Sequence, residues 1–287
     1  MKVLVLGASG LLGNSICKQL EKKDIQIISH GFKSHKVNLN YNLLDKKQLE
    51  KLLTENNPDV VINLIALSDV DLCQNNPRLA LDLNANLVKN IEAILKKTKT
   101  RFLHISTDHV YHKEGQSKEN EVFINNVYAS TKLLGDKYTE LSKSIVLRTN
   151  FFGKSLHPTR ESFSDWIVKC LKKKKDIYLY KDVFFNPISM KTLSEGIFFL
   201  ISKNNWKPDI YNFGSQERIS KYDFGIKLAD NFGLKKEFIL PGKISDSILR
   251  ASRPRDMSMD ISKFEKIFKF KLPSIEEEIS LLRKDYQ

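Results

Sequence analysis

The segment VLVLGASGLLGNSICKQL, residues 3–20, constrains the fold more than any other. An apolar run feeds directly into a turn bearing Gly7, Gly10 and Gly13, and the residues that follow put Leu12, Ile16 and Leu20 on one helical face. An unbroken apolar run suits a strand buried on both faces, whereas apolar residues four apart mark a half-buried helix. In a strand-turn-helix unit of this kind the first glycine permits the tight turn and the second lets backbone amides approach a pyrophosphate. The third lets the helix pack close to the sheet. A merely flexible turn leaves unexplained why a strand runs straight into it. Lys2 before the apolar run imitates a secretory leader, but Gly7, Ser9 and Gly10 interrupt it. No stretch reaches the ~18 apolar residues of a membrane span, so a soluble, cytoplasmic protein is expected.

The same alternation continues. KVLVLG (2–7), IQIIS (25–29), DVVINLIA (59–66), RFLHIST (101–107) and SIVLRTN (144–150) read as buried strands. Between them NSICKQLEKK, KKQLEKLLTE, NPRLALDLNANLVKNIEAILKK and YASTKLLGDKYTEL carry apolar residues at helical spacing. Strand and helix in turn predict an α/β fold, a doubly wound parallel sheet covered on both faces. Beyond residue 150 the pattern is less regular: helices in ESFSDWIVKCLKKKK, SMKTLSEGIFFLISKN, SKYDFGIKLADNFG and PSIEEEISLLRK, and a strand in DIYNFG, read as mixed α/β additions. There is no internal repeat and no Gly/Ser linker.

Composition narrows the partners. With 287 residues, 41% of them hydrophobic, the chain can bury a sizeable core. The net charge of +13 is spread along the sequence and not gathered in a basic arm, which argues against nucleic acid and suits a diphosphate-bearing small molecule. Cys17, Cys73 and Cys170 are odd in number and lack C-x-x-C spacing, which speaks against a disulfide or zinc framework.

The second strand bears on cofactor choice. An NAD site usually carries an acid about 20 residues past the glycines, to hold the adenosine ribose diol. Here ISHGFKSHK offers no carboxylate before Asp45, while His30, Lys33 and Lys36 can face a 2′-phosphate. NADPH is therefore the expected cofactor, with NADH the alternative.

The strand RFLHISTDHVY ends in Thr107 and Asp108, and NNVYASTKLLG follows with Tyr128 and Lys132 four apart. Strand ends line the ligand crevice of a doubly wound sheet, and positions i and i+4 share a helix face, so a hydroxyl, a phenol and an ammonium can converge there. Glycine turn, strand-end Thr and Y-x-x-x-K, in this order, resemble the extended short-chain dehydrogenase/reductases. HISTDHVY, NVYASTKLLGDK, DVVINLIALSDVDLCQNNPRLALDLNA, FFNPISMKTLSEGI and RPRDMSMDISKFEKIF are similar to the dTDP-4-dehydrorhamnose reductase family, over nearly the whole chain.

The resemblance implies a Rossmann-like nucleotide-binding domain over residues 1–150, with returning segments at about 183–214, and a smaller mixed α/β substrate-binding lobe over 151–182 and 215–287. It implies that Tyr128 gives a proton to a keto oxygen, that Thr107 hydrogen-bonds the same oxygen, and that Lys132 holds the nicotinamide ribose and lowers the phenol from its usual pKa near ~10. Gly7, Gly10, Leu11, Leu12, Gly13, Asn42, Leu43, Leu64, Ile65 and Ala66 would line the cofactor. Asp108, Phe151 and Arg253 would meet the sugar nucleotide, with Arg255 a further diphosphate partner, and Asn84 matches a position that supports the site lysine.

The chain departs from the family in His109, where an aromatic residue is usual, in Ala129 after the tyrosine, and in the bulkier Leu64 and Ile65. His109 and His112 lack a further ligand nearby, so no metal is expected. The activity implied is NADPH-dependent reduction of the 4-keto group of a nucleotide-activated 6-deoxysugar for surface polysaccharide, with a homodimer as the candidate assembly. The alternatives are a regulatory subunit that binds NADP without turnover, and an epimerase or dehydratase. A dehydratase lacks its usual glutamate, since position 109 is His.

Overall fold

The computed structural model describes residues 1–32, 37–202 and 205–286. The fold is α/β, as the alternation predicts. The strands are β1 (Lys2–Leu6), β2 (Gln26–Gly31), β3 (Leu39–Asn40), β4 (Val60–Asn63), β5 (Arg101–Thr107) and β6 (Ser144–Thr149). With the strand Asp209–Phe213 they form one seven-stranded sheet, ordered Asp209–Phe213, β6, β5, β4, β1, β2, β3. The order reverses beside β1, which makes the end of β1 the switch point where such sheets hold ligands. β1 pairs in parallel with β2 and β4, and β4 with β5, which aligns Leu6 with His30 and Asn63, and Asn63 with His104.

The crossovers are α1 (Leu11–Leu20), α2 (Lys46–Asn56), a helical run over 70–95, and α6 (Val127–Tyr138). Asp45 caps α2 by accepting from Lys47 N at 2.9 Å. The run 76–97, which reads as one helix in sequence, is broken. After α3 (Val70–Asn75), α4 (Pro77–Leu81) passes through a π-helical turn (Asp82–Asn86) into α5 (Leu87–Leu95). Leu4, Leu6, Val61 and Phe102 of the sheet pack with Leu49, Leu52 and Leu53 of α2 and Leu87, Val88, Ile91 and Leu95 of α5, so one core cements strands and crossovers.

The chain divides into two compact units, the first of residues 1–107, 125–148 and 194–211, the second of 108–124, 149–193 and 212–287. Segment 108–124, directly after β5, thus groups with the second unit. That unit has its own core, in which Phe152, Phe163, Phe185 and Phe224 pack at ring separations of 4.9–6.3 Å. Its helices include α7 (Phe163–Lys172), α8 (Met190–Ile201, shared with the first unit) and α9 (Lys221–Phe232). Its strands are short pairs: Ile177–Tyr180 with Ile239–Gly242 and Phe151–Phe152 with Ile188–Ser189, both parallel, and Phe184–Phe185 with Ile219–Ser220, antiparallel.

Candidate active site

The glycine turn packs backbone against backbone. Gly7 has φ +82°, a conformation a side chain strains, and its N–H and that of Ala8 donate to His30 O at 3.1 and 2.8 Å. A Cβ on Gly13 would lie 2.4 Å from Gly7 O and 2.6 Å from Ala8 Cα, so only glycine lets α1 sit this close to the turn. Gly10 is the N-cap of α1 and offers no side chain to cap it. The first-turn amides are therefore left to water or a ligand, at the positive end of the helix dipole.

Of the residues expected beside the cofactor, Leu11, Leu64, Ile65 and Ala66 are partly exposed, while Leu12 and Leu43 are buried, Leu43 within the core of the first unit. Asn42 shapes the turn into α2: its Oδ1 accepts from Leu44 N at 3.2 Å. His30 departs from its expected role. Its ring is buried, Nε2 lies 3.0 Å from Tyr41 O, and burial lowers its pKa against that bond, so it is a neutral group that supplies no charge to a 2′-phosphate. Its contribution to the turn is its carbonyl. Lys33 and Lys36 lie outside the described residues.

Thr107 closes β5 and is buried. Asn126 caps α6 by accepting from Ala129 N at 2.8 Å, which puts Tyr128 in the first turn and Lys132 in the second. Tyr128, Lys132 and Asp136 form one stripe at i, i+4 and i+8, all buried. Lys132 is only 1% exposed, and its Nζ donates to Ile105 O at 2.8 Å, tying α6 to β5 two residues before Thr107. Burial pulls its pKa down to about 8, with Asp136 opposing. An ammonium has three donors, so two remain beyond the Ile105 bond.

Sequence reasoning missed what stands behind the lysine. His104 Nε2 is 3.4 Å from Lys132 Nζ, His104 Nδ1 is 3.1 Å from Asn63 Nδ2, and Arg148 Nε donates to Asp136 Oδ2 at 2.9 Å. The one available signal was Asp136, which extends the Tyr-Lys spacing by a further turn. Asn84, in the π-helical turn, spends its side chain elsewhere: Oδ1 accepts from Leu67 N at 2.8 Å and Nδ2 donates to Leu67 O and Thr131 Oγ1, each at 3.1 Å.

The second unit gathers Asp108, His109, Lys221 and Arg253 into one electrostatic neighbourhood. Asp108 is buried and accepts from Asn150 Nδ2 at 2.7 Å. Burial lowers the Lys221 pKa, Asp108 raises it and Arg253 lowers it further. His109 is pulled down to about 3, by burial first and then by Lys221 and Arg253, and is neutral. Lys221, whose ammonium lies 5.4 Å from the Phe163 ring centre, was not singled out in the sequence. Phe151 is partly exposed at its short strand, and Arg255 is exposed.

Cys17, Cys73 and Cys170 are free thiols; burial pushes Cys17 up to about 12 and Cys73 up to about 11, so neither is a nucleophile at neutral pH. Among the described residues no group of three or more His, Cys, Asp or Glu is arranged to hold a metal ion. Among them, too, no helix is long and apolar enough to cross a membrane.

The family described as RmlD substrate binding domain matches residues 1–287. The chain belongs to this family. Its relatives include the probable low-salt glycan biosynthesis reductase Agl14 of Haloferax volcanii, 24% identical over 98% of this chain and 97% of that protein. Another is methionine adenosyltransferase 2 subunit beta of Bos taurus, 25% identical over 92% of this chain and 81% of that protein. The crystal structure of dTDP-4-dehydrorhamnose reductase from Bacillus anthracis in complex with NADP shares the fold, with a TM-score of 0.88, 20% identity and 99% of each chain covered.

Proposed function

We propose that the chain is an NADPH-dependent reductase of the 4-keto group of a nucleotide-activated 6-deoxysugar, acting in the cytoplasm to supply a surface polysaccharide. The observation that carries this reading is the buried Tyr128-Lys132 stripe of α6, bonded to β5 next to the strand end that bears Thr107. The uncapped α1 N-terminus and the Gly7-Gly13 close approach suit a dinucleotide diphosphate. Gly10, Leu11, Asn42, Leu64, Ile65 and Ala66 would flank it. The family membership, the glycan-reductase relative and the NADP in the Bacillus anthracis structure support the same assignment.

The chemistry a dihydronicotinamide would supply when held by these residues is hydride donation to a carbonyl carbon. Tyr128 Oη gives its proton to the keto oxygen, and Thr107 Oγ1 donates a hydrogen bond to that oxygen as charge develops on it. Lys132, with two donors beyond the Ile105 bond, holds ribose hydroxyls and favours the ionised phenolate left after proton transfer. Residues 1–150 with the later sheet segment bind the cofactor; Asp108, Phe151 and Arg253 recognise the sugar nucleotide. A homodimer is the candidate assembly.

The test is NADPH consumption with 4-keto-6-deoxy sugars on dTDP, UDP, GDP and CDP, NADH run in parallel and products followed by NMR. Turnover with one of them is expected. Tight NADPH binding with no turnover on any would instead favour a regulatory role, such as the relationship to the methionine adenosyltransferase subunit suggests.

A further inference from the structure

Two fully buried polar side chains sit side by side on interior strands of the sheet, one closing β4 and one within β5. Asn63 of β4 and His104 of β5 are register partners, point to the same face, and are both fully buried. A buried polar group costs free energy unless it is paired, so each of their bonds carries information.

Asn63 Oδ1 accepts from Ile65 N at 3.2 Å, which fixes the amide with its NH2 toward His104 Nδ1 at 3.1 Å. An amide NH2 only donates, so Nδ1 must accept and the ring proton resides on Nε2. That nitrogen faces Lys132 Nζ at 3.4 Å, with Asp136 Oδ1 beyond it at 4.0 Å. The ring stays neutral, because burial and then the Lys132 charge both disfavour the imidazolium. A ring N–H and the lysine amino group thus meet donor to donor.

We propose that His104 is a positioning residue for Lys132: held as the Nε2–H tautomer by Asn63 and the Ile65 amide, it turns Lys132 Nζ toward the Ile105 carbonyl and sets how readily that nitrogen gives up its proton. Lys132 faces Asp136 and Tyr128 from its own helix, His104 from β5, and Arg148 from β6 through its pair with Asp136. β4 contributes the uncharged Asn63, and the π-helical turn the uncharged Asn84, already committed to Leu67 and Thr131. Asp136 therefore opposes the histidine and keeps the ammonium at neutral pH. This assignment rests on the reading of Lys132 as the reductase lysine.

The test uses two substitutions that separate the ring nitrogens. Glutamine extends an amide to the place of Nε2, whereas asparagine reaches only that of Nδ1. His104→Gln is expected to keep the wild-type alkaline limb of kcat/KM. His104→Asn removes the donor that faces Lys132, and its limb is expected to move up by about one pH unit, which is tenfold in the protonation equilibrium. Long-range proton–nitrogen NMR of the histidine rings, assigned by loss of the His104 signals in either variant, should show the Nε2–H tautomer from pH 5 to 8. Lysine side-chain NMR should give the same shift in Lys132 titration between the variants.

Equal limbs in the two variants with both folded, or an Nδ1–H ring at position 104, would overturn the proposal. The NMR measurements need no substrate, so they stand if the wild-type protein turns over none of the keto sugars; that outcome would remove the proposed reaction and leave the tautomer and the lysine titration to decide this one.

Discussion

Tyr128 and Lys132 make opposite demands on the protein. Replacing Tyr128 by Phe removes one oxygen from a buried ring, so NADPH should still bind while turnover falls by about 10²–10⁴-fold, the usual worth of a general acid, as stopped-flow and steady-state assays would show. Lys132 carries a cost. Its folded pKa, about 8, lies below the unfolded value near ~10.4, so the unfolded chain binds more protons between those limits and stability contributed by this group rises with pH across them. The penalty is fully present below pH 8 and amounts to roughly 3 kcal/mol at its upper bound. Lys132→Met should therefore abolish turnover yet unfold at higher denaturant at pH 7, with the gain shrinking toward pH 10. The same two residues were legible in sequence because helical spacing alone brings them together. Asn63 and His104 were not, because 41 residues separate them and only the strand register makes them neighbours. His30 shows the converse: its position in the second strand suggested a phosphate ligand, but the side chain turns inward to Tyr41, which no local pattern reveals.

Elements followed the sequence wherever burial was two-sided or the apolar spacing unbroken. The five strand runs fall on β1, β2, β4, β5 and β6, while the two-residue β3 left no periodic trace. The helix over 76–97 was visible, but its π-helical turn was not, since one widened turn leaves the apolar spacing on either side intact. Close approach matters there too: a Cβ on Gly135 of α6 would lie 2.3 Å from Asn84 O in that turn. At the other contact of this kind, Gly13→Ala should push α1 off the glycine turn, cost about 1–3 kcal/mol as overpacking does, and weaken NADPH binding at least about tenfold. Chemical denaturation and fluorescence titration read the two effects separately. A variant that binds NADPH normally would show that α1 does not cradle the diphosphate.

For the whole molecule, the net charge of +13 raises the salt question. NADPH binding should weaken with salt, as association of an anion with a basic protein does, whereas duplex and single-stranded oligonucleotides should show no binding at physiological salt. A ligand held only by the folded state at 100 times its Kd adds about 2.7 kcal/mol to unfolding, so NADPH should raise the melting temperature, and NADH less at equal concentration. Equal shifts would remove the preference for the 2′-phosphate, a preference that now rests on Lys33 and Lys36 without His30.

The interleaving of the two units carries a consequence for synthesis. The edge strand Asp209–Phe213 pairs beside β6, all six of whose residues are buried, and it follows β6 by some sixty positions. While a ribosome makes those positions, a nascent chain presents SIVLRT as an unguarded sheet edge, the kind of template on which chains join one another. Fragments that stop near residue 150 should accordingly collect as aggregates, which light scattering of a purified 1–150 fragment beside the full chain would show.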